Sequence, residues 1–301
     1  MSKYLRLFRL KSTLIYLFPF VLALSVGLEQ TENGIAQAVP YHWWTIVFAY
    51  LAYFCGSFFS STLNFYVDVP ADRLHDDLYK DQPISNQPFV TGEMSKRETF
   101  LTFFILGVGC VVFSFLVNWK FAVFMIGAVF LLGVLYSHPW FRFKEKPVLD
   151  IATNATGAVL ILYAGMAIVS SNNPPLIPIL FGWLFSATLY IPSVANDVQF
   201  DKVAGYKTSG VVFGQKRLID AMVPLTACIV GVGLWGVFSS SLNWQYRLFC
   251  GLGTPAAVVA TAAVFFFYHP PHIELNPKLM LVPLAGLLLF YFVLSIVQLS
   301  T

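Results

Sequence analysis

Apolar and polar positions along the chain fall into long blocks and do not alternate. Apolar stretches of the roughly 17–25 residues needed to cross a bilayer as helix lie near 12–28, 44–66, 99–117, 119–137, 149–169, 176–197, 221–239, 248–268 and 279–299. The pattern predicts nine transmembrane helices. Charged residues fall between these blocks or at their ends, and no connection is long enough to hold a soluble domain. Residues 1–301 therefore read as one all-α integral membrane domain. The first block follows Lys3, Arg6, Arg9 and Lys11, the flank of a cleavable leader. Because eight more blocks follow, and because 12–28 is long for a leader core, that helix is expected to be retained.

Composition agrees with the pattern. The chain is 57% hydrophobic and 11% charged, whereas soluble domains carry about 25% Asp, Glu, Lys and Arg. Cys55, Cys110, Cys228 and Cys250 all lie inside apolar blocks, with no CxxC and no Cys/His cluster. Neither a zinc site nor a disulfide framework is supported, and no nucleic-acid partner is expected.

Charge sets the orientation. With a cytoplasmic N-terminus, all of the 18 basic residues except Lys120 and Arg247 fall on the cytoplasmic side, a strong positive-inside bias. Acids follow the same asymmetry, with only Glu29 and Glu32 of the 15 on the far side. One face thus carries nearly all of the ionisable chemistry. Loops rich in both signs suit a site that binds an anion through a metal and through direct contacts with cations.

Two stretches concentrate the acids. In NFYVDVPAD, Asn64, Asp68 and Asp72 are spaced by four where the second block ends, and Asp76 continues the series. In NDVQFD, Asp197 and Asp201 repeat the spacing at the end of the sixth. On a helix, i and i+4 share one face with Cβ atoms about 5–6 Å apart, so each series predicts a ladder of oxygen donors. Carboxylates stacked this way repel, and acids this close to a membrane usually face a cavity or a partner. Oxygen-only donors select hard cations, and Mg²⁺ is commonly held by one or two carboxylates together with substrate phosphates. Two facing ladders would clamp a diphosphate through metal ions. Pro70 and Pro192 predict kinks beside both ladders.

These stretches, with two others, resemble the UbiA superfamily of intramembrane prenyltransferases. Asn64–Asp68–Asp72 resembles its first aspartate motif, and Gln87 to Ser95 (QPFVTGEMS) its Arg-Pro-Leu-x-x-Gly-x-Ser segment, with Gln87 where the family usually has Arg. Tyr136 to Lys144 (YSHPWFRFK) is similar to its Tyr-Ser/Thr-x-Pro-x-x-x-Leu-Lys loop. Asn196 to Gly214 (NDVQFDKVAGYKTSGVVFG) is similar to its second aspartate run. The elements come in family order over roughly 60–215, and nine spans is also the family number.

The resemblance implies nine helices around a central cavity that opens to the cytoplasmic side under the aspartate-bearing loops. It implies Mg²⁺-dependent ionisation of an isoprenoid diphosphate and attack on the allylic cation by a small hydrophobic, most often aromatic, acceptor. Asp68, Asp72, Asp197 and Asp201 would be catalytic and, with Asn64, hold the metal. Arg73, Lys80, Tyr136, Lys144, Lys202 and Lys207 would meet the diphosphate, and Asn154 would line the cavity. The 30 Phe offer π faces for a cation. A terpene cyclase would use the same ionising site. A cation transporter fits less well, since its acids should reach mid-membrane or both faces.

Overall fold

The structure, a computed structural model, describes residues 3–31, 34–78 and 87–267, with the side chains of 11–12, 34–41, 75–78 and 267 excepted. The expected ninth span at 279–299 lies outside the described residues, as do Lys80 and the side chain of Asp76. Among the described residues every regular element is helical.

A short α1 (Lys3–Leu7) leads into α2 (Leu10–Glu29), α3 (Gly34–Leu78), α4 (Lys96–Val117) and α5 (Trp119–Val129). After α5 come a π-helical turn (Phe130–Leu135), a 3₁₀ turn (Phe143–Glu145), α6 (Leu149–Ala167) and α7 (Leu176–Asn196). Two short helices, α8 (Val198–Val203) and α9 (Ser209–Phe213), precede α10 (Gln215–Phe238) and α11 (Trp244–Phe267). Among the described residues six helices are long and apolar enough to span a membrane, and Thr13–Glu29 and Trp119–Leu135 are shorter apolar helices. These eight coincide with the first eight predicted blocks.

Consecutive apolar helices are neighbours, α11 returns to α2, and α2 also packs on α6. Two buried clusters share α2. Phe20, Tyr53, Phe121, Met125 and Ile161 join it to α3, α5 and α6. Leu22, Met166, Phe181, Ile229 and Phe249 join it to α6, α7, α10 and α11. The α2–α6 crossing is close enough to require a glycine, because a Cβ on Gly165 would lie 2.2 Å from the Phe20 carbonyl oxygen. Outward faces are apolar, with Phe100, Ile105 and Phe115 on α4 all exposed, as expected where lipid is the solvent.

Helix ends position the polar loops. Ser95 caps α4 in a reciprocal box with Glu98, which satisfies two orphan N–H groups. Asn118 ends α4 and caps α5, accepting from Phe121 N–H at 2.8 Å. At 45 residues and about 1.5 Å per residue, α3 is more than twice the roughly 30 Å of hydrocarbon. At least one of its ends must leave the bilayer core. The polar end is the one carrying Asp68 and Asp72.

The expected kinks take different forms. Helix α3 continues through Pro70 to Leu78, whereas α7 stops at Asn196, four residues past Pro192. Asp197 therefore sits at a junction and Asp201 on the separate α8, which differs from a ladder on one helix. The Asp201 N–H still donates to the Asp197 carbonyl at 2.8 Å, so the four-residue spacing survives the break.

Candidate active site

Three of the four predicted carboxylates meet a partner, each a different one. Asp68 pairs with Lys144 of the 3₁₀ turn, and the two side chains are only 17% and 11% exposed. Burial pulls the Lys144 ammonium below its ordinary value, and the Asp68 carboxylate opposes that pull. Asp72 accepts from the Gln87 amide. Gln87 is 4% exposed and its Oε1 is buried with no hydrogen-bond partner among the described residues. A neutral donor thus stands where the family usually places a cation. Asn64 donates to Ser137 Oγ at 3.2 Å, which joins the first ladder to the turn after α5.

In the second stretch Asp201 is 7% exposed and accepts from Thr208 Oγ at 2.8 Å. The Asp197 side chain has no hydrogen-bond or ion-pair partner among the described residues. It is reachable by water yet crowded by protein. This crowding, and then the charge of Asp201, pushes its carboxyl up to about 6. Burial likewise pushes Asp201 up to about 6, against the hydrogen bond from Thr208.

Two cations link the clusters. Lys144 lies within electrostatic reach of Asp68, Asp72 and Asp201. Arg9 reaches Asp72, Asp197 and Tyr136, with its guanidinium 4.0 Å from the Phe65 ring centroid. Arg9 occupies the break between α1 and α2 with φ 41, and this left-handed turn directs the chain between the two helices. Lys3 and Arg6 fix α1 in place through Glu98 and Glu93. Arg73, Lys202 and Lys207 are exposed around the same end.

Tyr136 follows the π-helical turn, a feature common at functional sites, and its hydroxyl lies 2.5 Å from that of Tyr190 on α7. Asn154 accepts from Tyr16 Oη at 2.8 Å and donates to the Asp150 carbonyl at 2.9 Å, so it joins α2 to α6. Sequence reasoning missed Arg9 as a site residue because a basic N-terminal flank already explains orientation. It also missed Tyr16, Tyr190 and Asp150. Only Asp150, an acid in the first turn of an apolar block, carried a readable signal.

Among the described residues no group of three or more His, Cys, Asp or Glu side chains forms a ready-made metal cage. The donors fit a hard cation otherwise, as two oxygen-only pairs, one with an unpartnered carboxylate, leaving coordination positions to a phosphate-bearing substrate and water. A groove of about 420 Å³ between α6, α7 and α10 is lined by Trp183, Ile191 and Leu218 and by none of these carboxylates.

Apolar helices closing on themselves, with acids and cations gathered at one end, define a multi-pass membrane protein. Comparison with known proteins makes the class specific. The profile of the UbiA prenyltransferase family matches residues 33–274, and the chain belongs to that family of prenyl-transferring enzymes. Over its whole length it is similar to a UbiA homolog from Archaeoglobus fulgidus bound to DMAPP and Mg²⁺, with 30% identity, 100% of both chains covered and a TM-score of 0.83. The same homolog bound to GPP and Mg²⁺ gives an equal TM-score of 0.83.

Curated relatives match over shorter stretches. A lycopene elongase/hydratase of Haloferax volcanii is 35% identical over 113 residues, 38% of this chain and 36% of that protein. A protoheme IX farnesyltransferase of Leifsonia xyli is 28% identical over 180 residues, 58% of this chain and 53% of that protein. The chain thus spans between about a third and about half of their lengths.

Proposed function

We propose that this chain is a Mg²⁺-dependent prenyltransferase that moves the prenyl group of an isoprenoid diphosphate to a small hydrophobic, aromatic acceptor. The observation that carries this reading is the shared neighbourhood of the two carboxylate pairs, with Lys144 and Arg9 each in reach of both. Two acid pairs with cations between them match a ligand that is itself a polyanion carrying divalent metal.

Asp68, Asp72, Asp197 and Asp201, with Asn64, would hold Mg²⁺. When bound, the ion supplies Lewis acidity, neutralising the charge that develops on the departing diphosphate. Lys144 and Arg9 bring positive charge to the phosphate oxygens, and Arg73, Lys202 and Lys207 extend that field to the rim. Tyr136 offers a hydroxyl to the same group. Asn154 holds α2 to α6 through Tyr16 and the Asp150 carbonyl and would line the site there. Aromatic side chains around the bundle present polarisable faces to the allylic cation and keep water away from it. With the loops facing the cytoplasm, water-soluble diphosphate leaves on the side where it is reused.

The names of three curated relatives, lycopene elongase/hydratases, favour a second reading of the acceptor as a polyene hydrocarbon. One assay tests donor and acceptor together. Purified protein in detergent is given Mg²⁺ and geranyl, farnesyl or geranylgeranyl diphosphate, first alone and then with quinone precursors, phenolic acids or lycopene. Transfer to an aromatic ring is the expected result, and transfer only to lycopene would select the second reading. Cyclic products without acceptor would make the protein a terpene cyclase. Asp68→Ala and Asp197→Ala should each abolish Mg²⁺-dependent turnover in a folded protein. Wild-type activity in the double variant would overturn the mechanism.

A further inference from the structure

Beside the second carboxylate pair lies an acid that this reaction does not use. Asp150, in the first turn of α6, is 1% exposed, and a buried carboxylate is costly unless its oxygens are satisfied. Its oxygens are given over largely to a single residue of another element. The Ser209 N–H donates to Oδ2 at 2.7 Å and the Ser209 hydroxyl to Oδ1 at 2.6 Å, while Ile151 N–H adds a bond to Oδ1 at 2.9 Å. Ser209 Oγ also accepts from Val148 N–H at 2.7 Å. Val148 holds φ 69, a conformation that β-branched residues seldom adopt. The first turns of α6 and α9 are thus locked together from both sides.

The lock sits one residue from the carboxylate motif. Thr208 precedes Ser209, and its hydroxyl accepts from Val211 N–H at 3.4 Å while donating to Asp201 at 2.8 Å. Asp201 lies on a six-residue helix followed by a turn through Gly205 at φ 77, which by itself gives the carboxylate little support. The Thr208 hydroxyl fixes that carboxylate, and Ser209 in the grip of Asp150 fixes where the Thr208 hydroxyl lies.

We infer that Asp150 is a positioning residue for divalent-metal binding, acting through Ser209 and Thr208 on the orientation of Asp201. The inference rests on the proposed reading of Asp201 as a metal-holding carboxylate. Partners that orient a metal ligand typically change metal affinity by about 10–100-fold when removed.

The test measures Mn²⁺ binding by electron paramagnetic resonance on the full chain in detergent, with inorganic diphosphate present. Asp201→Asn is the reference variant and should weaken binding. Asp150→Ala and Thr208→Val should each weaken it about tenfold. The double variant should be no weaker than either single variant to within about twofold, because both changes break one chain of contacts. Wild-type affinity in Asp150→Ala, or losses that multiply in the double variant, would overturn the inference while leaving the site reading intact. Wild-type affinity in Asp201→Asn would remove both. If Asp150→Ala does not fold, Ser209→Ala keeps the backbone donor to Asp150 and replaces it in the cycle. It should show about a threefold loss and the same lack of further effect with Thr208→Val, and unchanged affinity there overturns the inference equally.

Discussion

Lys144→Met separates the structural and chemical parts of the site. The Asp68–Lys144 pair is 17% and 11% exposed, so removing the cation leaves an acid that water reaches poorly. Breaking one side of a buried pair costs about 3–5 kcal/mol, and the residual exposure here argues for about 3 kcal/mol. For a chain of this size that lowers Tm by about 6–12 °C. Adding Asp68→Asn removes the orphaned charge and should restore most of the loss. Mg²⁺ should raise the Tm of Lys144→Met more than that of the wild type, because the metal gives Asp68 the positive neighbour it lost. Turnover should not recover in the double variant. In the proposed mechanism Lys144 also faces charge that grows on the diphosphate, and losing one such group costs about 10²–10³ in kcat. Thermal unfolding in detergent, with chelator and with Mg²⁺, together with diphosphate release, reads all four quantities. A Lys144→Met protein with wild-type Tm and turnover, or a double variant no more stable than the single, would refute the pairing.

Metal-free protein should be more stable near pH 5 than near pH 7.5. The Asp201 carboxyl titrates at about 6 in the folded protein against an ordinary 3.8, so the folded state binds the proton more tightly. This stabilisation is present at low pH and fades as pH rises through about 6, a change of about 1 kcal/mol over that range. Asp197, pushed up to about 6 as well, adds a dependence of the same sign, so Asp201→Asn should reduce the slope without abolishing it, and an apo Tm that rises with pH would count against the reasoning. Gly165→Ala should destabilise by about 1–3 kcal/mol, since the new methyl group meets the Phe20 backbone at 2.2 Å; an unchanged unfolding midpoint would show that the α2–α6 contact yields. Arg9→Gln should raise the KM for the prenyl diphosphate by about tenfold with little loss of Tm, and an unaltered KM would remove Arg9 from the site.

Much of this protein is legible in one dimension, because the bilayer imposes a length and polarity rule that no tertiary contact relaxes. Eight apolar blocks became the eight apolar helices, and the four-residue spacing of Asp68–Asp72 and Asp197–Asp201 kept its helical meaning even where α7 gives way to α8. The aspartates were conspicuous because charge is rare in such a chain. What the spacing left open was which acids carry partners. Only the folded arrangement pairs Lys144 with Asp68 and Gln87 with Asp72, holds Asp201 with Thr208, and leaves Asp197 open. Arg9 and Asp150 depend on tertiary structure in the same way. Arg9 reads as a topological signal until the turn at φ 41 brings it between the two carboxylate pairs, and Asp150 reads as a helix-start acid until Ser209 closes on it. Sequence by itself determined where the chain crosses the membrane and where its acids gather, since both follow from local hydrophobicity and helical period. The tertiary structure decided which charges meet, because contacts between residues 76 apart in Asp68–Lys144 and 59 apart in Asp150–Ser209 are set by helix packing, on which local pattern is silent.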